Sequence, residues 1–431
     1  MIIGPSDLRA PGETPSIRLM VTSSFGSSSS DGRQSSFELP SVRKRSASTP
    51  SDRLRIAFIS HAPHLAPSHY RLALPARALT DAGHECFVGS AIVSAPSGEV
   101  FAALPGNTIV QDIDILVVQP GVGTEWVGIV EGARQFGQIV VVDVDDWMWD
   151  LQASNVASQD DGWSIWLDRL RMALCASNVV TVSTPFLAER IGAWPGHHET
   201  VVLPNPIDME RWGGPEDVTD GPVIGYVGSL SGHAEDLGIL RAWLGPFLDR
   251  HDLQIVHVGA HPTHPSFADL TGVDPGRVTT REGRAWVDFA ASRPMAGIDI
   301  GLVPLEARDY NRAKSALKGM EYAACGVPFV ASPSPEYVRF NCGSLAGTSL
   351  EDQTPAAWEA ALEQLLDAGE RKRVARRQSE RVAAEDISVR SGEWEHLYRR
   401  IGGRGYPDDS HGQAERKGPD QGVDDASGPS A

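Results

Sequence analysis

Two doubly wound α/β domains facing a cleft are the fold class this sequence predicts, and three observations carry that expectation. Short apolar runs of strand length alternate with helix-patterned segments, as in parallel sheets covered on both faces. The alternation stops at a proline- and glycine-rich stretch, "VVLPNPIDMERWGG" (201–214), and resumes at "PVIGYVGSL" (222–230). The chain's 431 residues also exceed what one hydrophobic core usually serves.

The first series opens with "LRIAFIS" (54–60), then "SHYRLALPARALTDAGHE", whose Leu72, Leu74, Ala78 and Leu79 have helical spacing up to Gly83. "CFVGS", "IDILVVQP" (113–120), a helix near 126–136, "QIVVVDVDD" (138–146) and "NVVTVSTPFLAERI" (178–191) continue it. The second series adds a helix near 235–249, "LQIVHVG" (253–259), "GIDIGLVPL" (297–305), a helix over 314–324 and "PFVAS" (328–332). Residues 355–383 read as charged helix, and 385–400 as a last helix carrying Trp394 and Tyr398. The expected organisation is a flexible arm over 1–50, a first domain over 51–215 and a second over 216–384. The helix 385–400 is free to cross back to the first domain, and a second tail occupies 401–431.

Composition narrows the function. A formal net charge of −18 disfavours nucleic acid as a partner, because a phosphate backbone requires a basic face. Four dispersed cysteines form neither a zinc cluster nor a disulfide framework. With no secretory h-region and no run of about 20 apolar residues, the expectation is a soluble cytoplasmic protein. No GxGxxG, Walker A, GxSxG or HExxH pattern is present.

The chain has only five lysines, and two stand four apart in "NRAKSALKGMEYAACGVPFV" (311–330). On one helix, Lys314, Lys318 and Glu321 would share a stripe, while Leu317, Met320 and Ala324 would pack. The segment follows "GLVPL", at the strand ends where open α/β sheets bind ligands. Helix N–H groups, Ser315 and the lysines there suit an anionic ligand. Ordinary Glu–Lys helix support explains the same spacing, at about 0.2–0.5 kcal/mol per pair.

This segment, with "VTVSTPFLAE", "VVLPNPIDMERW" and "IGYVGSLSGHAEDLGIL" in order, resembles GT-B glycosyltransferases, especially the retaining, family-4-like group, over residues 54–400. The resemblance implies two Rossmann-like domains and glycosyl transfer from a nucleotide sugar, a UDP- or GDP-sugar, with no permanently bound cofactor and no metal. It implies that Lys318 holds the donor diphosphate and Glu321 touches the ribose, with Gly228 and Ser229 at the glycine turn beside the phosphates. Many members carry another glutamate near the donor sugar. Here Ala313 stands in its place, so Asn311, Arg312 or backbone groups would supply that contact, with Lys314 an auxiliary charge.

On the first-domain side, "SHAPHLAPSHYR" offers His61, His64, His69, Tyr70 and Arg71. His69 and Arg71 are the candidates for catalysis beside Lys318, and His64 and Tyr70 for acceptor binding. "DVDDWMW" adds Asp145, Asp146 and Trp147 to the acceptor set. A glycan, lipid, small molecule or protein remains open as the acceptor. The alternative is a catalytically degenerate protein of the same fold that binds a glycan or a protein partner.

Overall fold

The computed structural model describes residues 41–43, 52–60, 62, 64–89, 91–94, 100–104, 108–110, 112–121, 126–196, 199–212, 221–340, 347 and 349–403. Fifteen strands are found among them. Ten precede the 201–214 stretch or lie in it: β1 (Ser41–Arg43), β2 (Arg55–Ser60), β3 (Glu85–Gly89), β4 (Ala91–Ser94), β5 (Val100–Leu104), β6 (Thr108–Val110), β7 (Ile115–Gln119), β8 (Ile139–Val144), β9 (Val179–Val182) and β10 (Thr200–Val202). Five follow: β11 (Ile224–Val227), β12 (Ile255–Ala260), β13 (Val278–Glu282), β14 (Ile300–Val303) and β15 (Phe329–Ala331).

Two parallel sheets dominate, in the orders β10-β9-β8-β7-β2-β3 and β13-β12-β11-β14-β15. Every residue of β2, β7, β11 and β14 is buried, which is why these strands read as apolar runs and not as alternation. The architecture is α/β with two doubly wound sheets.

Several local expectations need correction. The arm over 1–50 includes β1, which pairs in parallel with β6 in a small four-stranded sheet, order β1-β6-β5-β4; residues 1–40 and 44–50 lie outside the described residues. The helix expected near 235–249 is two, Ala234–Gly238 and Leu244–His251. The charged helix over 355–383 breaks at Asp367, whose side chain accepts from Glu370 N and caps Ala368–Ala383. The Trp163–Ala176 helix was not anticipated. In the first helix, Pro75 has no N–H for the Arg71 carbonyl. The turn before it widens to a π-turn over His69–Ala73, with Leu74 N donating to His69 O.

The last helix, Ile387–Ile401, starts where the second half ends and packs on the first sheet. Ile207 N donates to Glu385 O at 2.9 Å and Ile387 N to Ile207 O at 2.7 Å, so the outgoing and returning strands of the chain run side by side. Asp386 caps the helix through Ser388 N and also accepts from Met209 N. Trp394, Leu397 and Tyr398 then complete a core with Leu54, Ile56, Phe58, Leu72 and Ala76. Residues far apart in sequence thus finish the first hydrophobic core. The tail beyond residue 403 lies outside the described residues.

Truncating Trp394 to alanine is expected to cost about 3–5 kcal/mol, as for large buried aromatics elsewhere. Urea unfolding followed by circular dichroism measures it, and a loss under 1 kcal/mol would refute the assignment of this helix to the first core.

Candidate active site between the two sheets

A cavity of about 230 Å³ lies between the halves. Its wall takes Ala66, Pro67, Tyr70, Asp145, Asp146 and Asn205 from the first half. Tyr226, His233, Asp236, the Val303–Leu305 strand end, Lys314, Ser315, Leu317, Lys318, Glu321 and Tyr337 come from the second.

The lysine-bearing segment differs locally from expectation. The helix spans Leu317–Ala324, preceded by a short turn at Asp309–Arg312, so Lys314 stands in the connection and not on the helix stripe. Tertiary structure still brings both lysines to the wall. Lys318 Nζ donates to Val227 O at 2.7 Å and lies 4.8 Å from the Tyr226 ring centroid. A Cβ on Gly228 would collide with that Nζ, so the glycine leaves room for the lysine at the end of β11. Gly259 is needed at the adjoining turn: φ is +123°, and a Cβ there would overlap the Gly228 backbone. Lys314 Nζ stacks 4.3 Å from the Tyr310 ring centroid.

The two lysines are electrostatically unlike. Burial pushes Lys318 down to about 8, against the pull of Glu321, and Lys314 adds to the depression. Burial also disfavours the charge on Lys314, but Tyr310, Asp146 and Asp236 outweigh it and hold its value above the ordinary one. Glu321 is raised to about 7 by burial, although the Tyr70 hydroxyl, which donates to its Oε1 at 2.8 Å, and Lys318 favour the carboxylate. Asp145 reaches about 7 through burial and then its neighbours Asp146 and Asp143.

Asp236 was absent from the sequence-derived set, although "GHAEDL" contains it. Its Oδ1 accepts from Gln152 Nε2 (2.6 Å), Asn311 Nδ2 (2.6 Å) and Glu306 N (2.9 Å), while Oδ2 lies 2.9 Å from His233 Nδ1. Burial opposes its ionisation, yet the His233 and Glu306 hydrogen bonds hold it below the usual aspartate value. Only folding shows that residues 152, 236, 306 and 311 converge. Asn205, Tyr226, His233 and Tyr337 were missed for the same reason.

Some expected site residues stand elsewhere. Arg71 is fully buried: its guanidinium pairs with Asp143 (Nη2–Oδ1 2.6 Å), donates to Leu203 O and to Asn205 Oδ1 (3.0 Å), and lies 5.1 Å from a Trp394 ring centroid. Enclosed this way, it supports the wall through Asn205, whose Nδ2 donates to Ser315 Oγ at 2.9 Å, and does not itself line the cavity. His69 packs against Trp286 (5.7 Å between centroids) outside the wall, and burial lowers it to about 4. Asn311 is buried behind the wall on Asp236, and Arg312 pairs with Asp309 and Glu351. Ser229 accepts from Ser231 N, His64 is an exposed turn residue, and Trp147 packs with Trp149 and Trp194, all outside the wall. His61 lies outside the described residues. Ala313 is sealed in a separate core of the first half, in one cluster with Val142, Val144 and Leu187, its carbonyl accepting from Thr184 Oγ1 at 2.9 Å.

Residues 221–368 match the family model described as glycosyl transferases group 1. The similar solved structures extend the likeness to both halves. Sucrose-phosphate synthase from Thermosynechococcus elongatus superposes with a TM-score of 0.56 at 14% identity, covering 82% of this chain and 100% of that one. The chain has the GT-B fold. A glycosyltransferase from Rickettsia africae ESF-5 gives 0.54 at 11% identity, over 81% and 98% of the two chains. The trehalose-6-phosphate synthase OtsA gives 0.51 at 13%, over 82% and 100%. No curated protein matches the sequence. The second-half match and the GT-B architecture together support glycosyl transfer. Among the described residues, no helix is long and apolar enough to cross a membrane, and no cluster of three His, Cys, Asp or Glu could hold a metal.

Glu321→Gln tests the electrostatics of the wall. A folded-state value raised to about 7 means Glu321 adds stability below its unfolded value near 4.3, and loses it as pH rises through 7. The variant is expected to remove up to about 3 kcal/mol of stability loss between pH 4 and 8, read as the wild-type-minus-variant difference in urea unfolding. Parallel pH profiles would refute the buried-carboxyl reading.

Proposed function

We propose that the protein transfers a glycosyl group from a nucleoside-diphosphate sugar, a UDP- or GDP-sugar, to an acceptor hydroxyl with retention at the anomeric carbon. The observation carrying this reading is the placement of Lys318 Nζ beside the Gly228 turn, with Glu321 one helical turn further in the same cavity wall. The second half, about 216–384, binds the donor, and the first, about 51–215, receives the acceptor.

In this reading the diphosphate takes Lys318 Nζ from the Val227 carbonyl and lies near Ser315 and the start of the Leu317–Ala324 helix. Lys314 adds a second positive charge, and Glu321 meets the ribose. As the anomeric C–O bond to the diphosphate breaks, the lysines stabilise the leaving charge in a site with little water. The acceptor oxygen approaches from the side of Asp145 and Asp146, and its proton passes to the departing phosphate. With Ala313 enclosed, His233 is the second-half group placed to meet the donor sugar, positioned by Asp236. No side-chain nucleophile and no metal is required.

Lys318→Ala is expected to weaken nucleoside-diphosphate binding about tenfold to a hundredfold, since hydrogen bonds to charged groups contribute about 1.5–3 kcal/mol. Calorimetric titration with UDP and GDP measures this, with circular dichroism checking the fold. Unchanged affinity in a folded variant would refute the phosphate assignment. Donor binding with no sugar transfer to any acceptor would instead identify a binding protein of the same fold.

The wild-type affinity should also depend on pH. Lys318 is protonated below about 8, so diphosphate affinity holds near neutrality and falls by up to tenfold per pH unit above that point. The Lys318→Ala profile should be flatter over pH 7.5–9.5.

A further inference from the structure

A second cavity, of about 180 Å³, opens beside the first and shares Pro67, Asp145 and Asp146 with it. It lies at the carboxyl ends of β7 and β8, reaching Gln119 and Asp143–Asp146. Its wall is mostly apolar, with Leu65, Met148, Trp166 and Leu170 among its members. A cavity of about 150 Å³ with such a lining admits a benzene ring, so this space fits one six-membered ring with small substituents.

One polar group in it lacks a partner. Gln119 is 6% exposed, and its Oε1 accepts at 2.7 Å from Ser68 Oγ, a hydroxyl that also lies 2.9 Å from Ala62 O. Ser68 is itself held by Ser60 Oγ (2.7 Å), so the amide sits on a built polar support. Gln119 Nε2 is buried and has no hydrogen-bond partner among the described residues. A buried donor left unpaired is costly, and a ligand oxygen placed there would remove that cost. A sugar ring could pair some hydroxyls with Asp145 and Asp146, but those set against Leu65, Met148, Trp166 and Leu170 would go unpaired.

We propose that this cavity is the acceptor subsite, and that the acceptor is a single apolar ring carrying a hydroxyl and a carbonyl or ether oxygen. The oxygen accepts from Gln119 Nε2, the ring packs between Leu65, Trp166 and Leu170, and the hydroxyl faces Asp145 where the cavities meet. In the transfer step the bond from the anomeric carbon to the diphosphate oxygen breaks and its electron pair leaves with the diphosphate. The bond from the anomeric carbon to the ring hydroxyl oxygen forms, and the hydroxyl proton ends on the released diphosphate. The assignment of the cavity to an acceptor rests on the glycosyltransferase reading; its preference for the ring does not.

Three probes test it: 4-hydroxyacetophenone, 4-ethylphenol of similar shape without the carbonyl, and glucose. Ligand-observed saturation-transfer NMR on the full chain without donor should show the ketone bound about tenfold more tightly than the ethylphenol, and no glucose signal. Gln119→Leu should abolish the preference for the ketone, and Leu65→Trp, at a half-exposed rim position, should block both phenols. With a UDP- or GDP-sugar present, the ketone should stimulate nucleotide release. Glucose bound or glycosylated in place of the phenols would overturn the subsite while leaving glycosyl transfer intact. Equal binding of both phenols that Gln119→Leu does not alter would also overturn it. Ring binding with the predicted selectivity, but no donor affinity, would uphold the cavity's preference and refute the transferase reading.

Discussion

The Asp236 carboxylate is the group on which the geometry of the cleft depends. It is nearly inaccessible to water, and such a charge persists only when its lone pairs are occupied. Gln152 from the first half and Asn311, Glu306 N and His233 from the second fill them. One carboxylate therefore fixes the loop after β14, the turn ahead of the lysine-bearing helix and a contact to the opposite half. Nearby bonds reinforce the same approach, including Asp150 Oδ2 accepting from Asp309 N at 2.9 Å and Asn205 donating to Ser315.

Around that anchor, the cleft gathers groups whose burial works against folding. Lys318 and Glu321 are each moved toward neutrality, whereas Lys314 and Asp236 keep their charges through their neighbours. Titratable groups pushed apart in this way cluster where a ligand of opposite charge completes the balance. An anion placed against Lys318 would raise its value back toward the ordinary lysine range, so ligand binding and wall electrostatics are coupled. Arg71 has the complementary role. Paired with Asp143, it holds Asn205 at the edge of the cavity without lining the cavity itself.

Much of the fold was legible because fully buried parallel strands must be apolar throughout, a pattern that survives in one dimension. β2, β7, β8, β11, β12 and β14 all stand where apolar runs predict them. Helix breaks were less legible, since Asp367 as an internal cap and the separation of Asp309–Arg312 from Leu317–Ala324 depend on neighbouring layers. Within the site, Lys318, Glu321, Lys314, Ser315, Tyr70, Asp145 and Asp146 all line the cavity. Arg71, His69, Asn311 and Arg312 do not, because residue type and loop position say nothing about which partner will claim a side chain.

By itself the sequence determined the α/β class, the two successive series of strands and the segment bearing the two lysines, since all three follow from local spacing and apolar patterning. Only tertiary structure decided which charges share a wall, because those contacts join residues such as Tyr70 and Glu321 that lie 251 positions apart. It also decided that the last helix completes the first core and that Gln119 Nε2 is left unpaired in an apolar cavity. Burial and partner geometry are properties of the packed chain, and no periodicity along the sequence encodes them.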